Sequence, residues 1–112
     1  LMIAQKIGKQ EYKKFINDTN LLIKPDFQLE EIGSPLVFNW EKCKLETISY
    51  GHGIAVTPLQ ATATYAALTN GGNIVKPTLI KKNKNTDNKK IISLETSKIL
   101  NTILRKNNGV NV

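Results

Sequence analysis

Apolar and polar positions follow a helical spacing near both ends of this chain and have little regular spacing in the middle. Residues 1–7, LMIAQKI, crowd apolar side chains on more than one face, which suits the end of a buried helix, and Gly8 then interrupts. Tyr12, Phe15 and Ile16 fall at helical spacing between lysines and predict a second short helix over 9–18, with the stop signals in NDTN at 17–20. Residues 21–46 contain Pro25, Gly33 and Pro35 and sustain neither period. They predict an ordered, mostly irregular excursion pinned by Phe27, Phe38 and Trp40, the lone Trp acting as an anchor rather than a ligand platform.

The strongest helix signal comes next. Thr57 is a good N-cap and Pro58 suits the first helical position. Leu59, Ala63, Ala66 and Ala67 then carry the helix on to Asn70-Gly71-Gly72. Its small Ala and Thr residues permit close packing against a neighbour. NIVKPTLIKK at 73–82 is β-branched and apolar around Pro77, which predicts a strand near an edge or one with a bulge. KKNKNTDNKK at 81–90 reads as a solvated loop. Ser93 then caps a last helix of about three turns, with Glu95 in its first turn and an apolar stripe of Leu94, Ile99, Leu100, Ile103 and Leu104. Lys98, Arg105 and Lys106 favour its C-terminal half, and Asn107-Asn108-Gly109 ends it. The order helix, loop, helix, strand, helix gives a mixed α/β (α+β) piece, mainly helical with one or two strands and no internal repeat.

Between the irregular excursion and the strongest helix lies SYGHGIAVTPLQ. Gly51 and Gly53 flank His52, so the backbone can turn sharply on both sides of the imidazole and offer Tyr50 and His52 to whatever lies beside the helix. Gly51, Gly53, Thr57 and Pro58 are the structural residues of this loop.

Composition narrows the function classes. The 112 residues amount to one domain or part of one. Ile54 to Leu68 is the most apolar region, but Thr57, Pro58, Gln60 and Thr64 break it, so no membrane span is expected and the piece should be soluble. The N-terminus lacks a basic leader and a small-residue cleavage site, and it lacks Met at position 1, which fits a portion of something longer. A net charge of +7 would suit an anionic partner. Yet all the basic residues except Arg105 are lysines, scattered among Asn and Ile with no interleaved aromatics, so nucleic acid is not expected as a partner. One Cys and one His provide no metal site and no cofactor is implied. A Cys43–His52 dyad lacks a specified orienting residue, and Cys43 reads as a small buried filler.

Taken together, SYGHGIAVTPLQATATYAALTNGGNIVKPTLI resembles a segment of the class B penicillin-binding proteins, the cell-wall D,D-transpeptidases, and among them most resembles the division-specific enzyme. In that family a glycine-aromatic-glycine loop leads into a Val-Thr-Pro-Leu-Gln helix, an Asn-Gly-Gly end and a strand. The match is strong over 47–80 and looser, though in register, elsewhere, including Trp40 and the helix entered at ISLETS. The resemblance implies a penicillin-binding, serine β-lactamase-like fold. It also implies cell-wall cross-linking at division through an acyl-serine intermediate, with peptidoglycan stem peptide and β-lactams as ligands of the complete protein and division proteins as further partners.

Family members work through Ser-x-x-Lys, Ser-x-Asn and Lys-Thr-Gly. Ser34, Ser49, Ser93 and Ser97 are followed by PLV, YGH, LET and KIL, so none begins either serine motif, and no Lys precedes Ser/Thr-Gly. The resemblance places residues 1–112 between the second and third motifs, as part of a transpeptidase domain with no catalytic residue of its own, so the fragment alone should be inactive. It also places Tyr50 and His52 on the wall of the substrate cleft. Family members often carry an aromatic residue where this chain has His52, which would shape the pocket or accept a hydrogen bond rather than act as general base. The parent would be anchored in the inner membrane with its catalytic domain outside the cytoplasm. Two alternatives are a non-catalytic remnant of a split gene that assembles with its flanking halves, and a basic nucleic-acid-binding module.

Overall fold

A computed structural model describes residues 2–29, 33–37, 44–81 and 89–107. Among these residues five helices and two short strands are formed: α1 (Met2–Ile7), α2 (Lys9–Asp18), β1 (Leu36–Val37), α3 (Lys44–Ile48), β2 (Ile54–Ala55), α4 (Pro58–Thr69) and α5 (Leu94–Asn107). The mixed, mainly helical class expected from the sequence is observed.

Local signals place most of the helix ends. Gly8 at φ +84° separates α1 from α2. Asn20 in the left-handed region at φ 57° turns the chain after α2, whose last turn is tied by the Thr19 hydroxyl donating to the Ile16 carbonyl at 2.7 Å. Thr57 and Gln60 form a reciprocal capping box ahead of α4, with Pro58 in the first turn. Ser93 Oγ accepts the Thr96 N–H at 3.1 Å and opens α5, which runs fourteen residues, a turn longer than expected.

α1 packs on α2 and α3, while α4 packs on α5. The apolar side chains buried among the described residues are Ala4, Ile16, Ile48, Ala67 and Ile74. α5 is held by polar contacts at its inner face. Buried Ser97 donates to the Leu68 carbonyl at 2.7 Å and accepts the Gly71 N–H at 3.0 Å. Asn101 donates to the Thr69 carbonyl at 2.9 Å.

Three expectations need correction. The strand over 73–82 does not form among the described residues. A single antiparallel bridge joins Asn73 to Lys90, supported by Ile74 N–H to Lys89 and Ile91 N–H to Gly72. Beyond it Pro77 has no N–H to give, the Leu79 N–H goes to the Gln28 side chain at 2.9 Å, and the Ile80 N–H goes to the Thr78 hydroxyl at 3.2 Å. Side chains therefore take the bonds that a ladder would have used. Among its described residues the excursion over 21–46 is mostly irregular, as expected, but it also contains β1 and the start of α3; β1 pairs antiparallel with β2, Leu36 opposite Ala55 and Val37 opposite Ile54. The first helix buries only Ala4 and leaves Met2 and Ile3 about four-fifths and three-quarters exposed (80% and 76%). Phe38, Trp40, Cys43, most of the basic loop and Asn108-Gly109 lie outside the described residues.

Candidate functional site

The loop expected to be a glycine hinge is the C-terminal stop of α3. The Gly51 N–H donates to the Ile48 carbonyl at 2.9 Å and the His52 N–H donates to the Thr47 carbonyl at 3.0 Å, the paired bonds of a Schellman motif with Gly51 in its left-handed position at φ +87°. Ser49 reinforces that end by donating its hydroxyl to the Glu46 carbonyl at 2.6 Å. Gly53 also sits at positive φ, +88°, and releases the chain into β2. His52 is thus fixed on both sides by backbone geometry.

The two rings of the loop face one another. Tyr50 and His52 have centroids 6.5 Å apart and planes inclined by 25°, an offset arrangement, and both side chains are exposed. Among the described residues no hydrogen bond reaches the His52 ring, so nothing orients it as the base of a nucleophilic dyad. No group of three His, Cys, Asp or Glu comes together among the described residues. The loop offers two aromatic faces on a rigid support and no activated nucleophile.

Behind the loop, the capping box anchors α4 to distant chain. Gln60 Oε1 accepts the Thr57 N–H and the Thr57 hydroxyl, each at 2.9 Å, and Gln60 Nε2 donates to the Ile23 carbonyl at 2.6 Å. Gln60 is only 3% exposed, so these bonds satisfy an amide that burial would otherwise penalise. Gly33 lies close to the same cap, since a Cβ there would stand 3.0 Å from the Thr57 methyl. Gln60 and Ser97 thus hold distant parts of the chain together, roles beyond those expected from the sequence. The Thr57-x-x-Gln60 spacing is the signature that marks the former; no local pattern marks the latter.

A separate cleft of about 180 Å³ lies between the turn after α2, α4 and the segment around Ile74 and Pro77. None of Tyr50, Gly51, His52 or Gly53 lines it. Its lining mixes apolar Ile23, Ala63, Ala67 and Ile74 with the exposed charged side chains of Lys24 and Asp26.

The same backbone arrangement occurs in solved enzymes. Penicillin-binding protein 3 of Mycobacterium tuberculosis, crystallised with aztreonam and with ampicillin, superposes with a TM-score of 0.84 at 23% identity, over 93% of this chain and 26% of its own. A peptidoglycan glycosyltransferase from Burkholderia ambifaria superposes at 0.83 and 20% identity, over 93% of this chain and 34% of its own. Among curated proteins, stage V sporulation protein D of Bacillus subtilis is 29% identical over 86% of this chain. The probable peptidoglycan D,D-transpeptidase FtsI of Caulobacter vibrioides is 27% identical over 95%. The chain spans 17% and 18% of the length of those two relatives. Residues 1–111 match the family described as the penicillin binding protein transpeptidase domain. With that match running through nearly every residue and the fold shared at the level of the backbone, the chain belongs to the penicillin-binding protein transpeptidase domain family.

Proposed function

We propose that this chain is the part of a division-type peptidoglycan D,D-transpeptidase that lies between the Ser-x-Asn and Lys-Thr-Gly motifs, and that it forms one wall of the substrate cleft. The observation that carries the reading is the α3 stop, which holds Tyr50 and His52 outward immediately before the capped α4. A cleft wall needs a fixed backbone and exposed faces; the paired bonds to the Ile48 and Thr47 carbonyls hold this loop, and both rings are exposed. The reacting groups come from elsewhere in the complete protein. There a serine hydroxyl, its proton taken by the lysine of Ser-x-x-Lys, attacks the carbonyl of a stem peptide or β-lactam and forms the acyl-serine. Backbone donors stabilise the oxyanion.

By itself the chain is inert, because none of its four serines begins a catalytic motif. Among the described residues no helix is long and apolar enough to cross a membrane. We place the anchor of the complete protein in the inner membrane and its catalytic domain outside the cytoplasm.

A fluorescent penicillin tests the reading. The complete protein encoded around this segment is expected to be labelled stoichiometrically at the serine of Ser-x-x-Lys, and the 112-residue chain to remain unmodified by intact-mass measurement. Labelling of Ser49 or any other serine in the chain would overturn it. So would the absence of an in-frame Ser-x-x-Lys upstream and Lys-Thr-Gly downstream; the same motifs in adjacent reading frames would point instead to a split-gene remnant.

A further inference from the structure

The described structure is a slab that buries few of its own apolar side chains. Its principal extents are 44 × 40 × 26 Å and its radius of gyration is 15.4 Å, against roughly 13 Å for a compact domain of this length. Met2, Ile3, Ile7, Ile99 and Ile103 stay between 47% and 80% exposed, whereas the buried apolar set includes two alanines.

Two helices show where cover is missing. On α5, Ser97 and Asn101 mark the face locked to α4, with Leu100 and Leu104 half-buried beside them. At 100° per residue, Ile99 and Ile103 fall about 120° to 160° away from Ser97 and Asn101, with Ile103 next to Leu100 on the helix surface. α5 therefore carries a wide apolar arc from Leu104 and Leu100 through Ile103 to Ile99, of which the Leu100–Leu104 part is half-buried and the Ile99–Ile103 part is left about half exposed. On α1, Ala4 takes the buried side while Ile3 and Ile7, one turn apart, and Met2 point into open space. An apolar arc wider than the part a neighbour covers calls for a second layer.

We infer that the Ile99–Ile103 face of α5 and the Met2, Ile3, Ile7 face of α1 are interior seams, covered by further residues of the same transpeptidase polypeptide. This rests on the reading that the chain is a segment of a larger transpeptidase. The occupant is the same polypeptide rather than a second copy because solved neighbours contain this fold as 26% and 34% of longer chains, and curated relatives as 17% and 18%. Apolar area of this kind is removed from water most economically by adjoining layers of one domain.

The test compares the complete protein with the 112-residue chain. In the complete protein, the double variant Ile99→Lys/Ile103→Lys is expected to lower the thermal midpoint by on the order of 5 °C or more, because each lysine would be buried without a partner. The single variant Ile3→Lys should act in the same direction. Thr102→Lys, which adds the same charge at an exposed site on α5, should leave the midpoint within about 2 °C. If the double variant does not fold, Ile99→Ala/Ile103→Ala is measured instead and should still lower the midpoint. In the 112-residue chain, the lysine pair should reduce binding of the apolar dye anilinonaphthalenesulfonate severalfold. Unchanged midpoints in the complete protein would overturn the inference, as would a discrete dimer of the 112-residue chain that the lysine pair dissolves in a sedimentation experiment. Acylation of the wild-type complete protein by fluorescent penicillin is scored separately. Its loss would sink the proposed function, whereas labelling with unchanged midpoints would sink only the seams.

Discussion

The Ser97 hydroxyl donates to the Leu68 carbonyl at 2.7 Å while accepting the Gly71 N–H at 3.0 Å, so a side chain from α5 sits inside the C-terminal stop of α4. In an unaided Schellman stop the Gly71 N–H would bond the Leu68 carbonyl directly, alongside the Gly72 to Ala67 bond that is present at 3.1 Å. Here the hydroxyl is inserted between donor and acceptor. The end of one helix and the inner face of another thereby become one hydrogen-bonded unit, and burial of Ser97 to 1% exposure shields the hydroxyl from solvent.

Ser97→Ala is expected to destabilise the chain by about 1–3 kcal/mol, because it leaves a buried carbonyl and a buried N–H unpaired together. Ser93→Ala, which removes an exposed N-cap, should cost about 1 kcal/mol. Urea unfolding with unchanged slope measures both. A Ser97→Ala variant no less stable than wild type would show that the two backbone groups find other partners.

Gly72 and Gly51 both have positive φ, at +91° and +87°, but their surroundings differ. A Cβ at Gly51 meets nothing within 4 Å, so Gly51→Ala carries only the backbone cost of roughly 1–2 kcal/mol. A Cβ at Gly72 would run into the Ile92 carbonyl, which must move. Gly72→Ala should therefore lower the urea midpoint much more than Gly51→Ala. Equal midpoints would mean that the Asn73–Lys90 closure yields at no cost.

In the complete protein, His52→Tyr should retain acylation by fluorescent penicillin, since one ring replaces another on an unchanged Schellman stop. Gly53→Val should abolish or greatly slow it. A β-branched residue forced to φ +88° costs on the order of 1–3 kcal/mol and shifts the loop. The reverse pattern, loss with His52→Tyr and retention with Gly53→Val, would make His52 a chemical participant.

Burial raises the Tyr12 phenol above its ordinary value of 10.0, because desolvation disfavours the phenolate. The unfolded chain then releases this proton at lower pH than the folded one, so the tyrosine favours folding below about pH 10 and that contribution is lost as pH rises through the folded value. Tyr12→Phe should flatten the alkaline end of the stability profile relative to wild type. Superimposable profiles above pH 10 would show that the phenol is fully hydrated in the folded chain.

The lysines predict only a weak, salt-sensitive affinity for duplex DNA. Fluorescence anisotropy should show binding fading steeply between 50 and roughly 200 mM salt, as counterion release requires. Sequence-selective binding that persists at the upper end would revive the nucleic-acid reading.

Helix ends were legible in the sequence wherever the interactions that make them span only a few residues. Thr57 with Pro58, Ser93, Gly8 and the turn at 17–20 act through bonds to neighbours three or four positions away, so the residue types alone announce them. The Tyr50–His52 loop was legible as two glycines around a ring for the same reason, although its identity as the stop of α3 was not, because α3 has only five residues and no amphipathic period to detect. Tertiary structure alone decided the rest. The pairing of β1 with β2 joins residues far apart in the chain, and the absence of a strand over the described residues 73–81 goes with the Leu79 N–H being taken by the side-chain oxygen of Gln28, 51 residues away. The same holds for Gln60 reaching Ile23 across 37 residues and Ser97 reaching Leu68 across 29. A side chain's hydrogen-bonding capacity is written in its chemistry, but which distant backbone group it meets depends on how the helices pack, and no periodicity in the sequence records that.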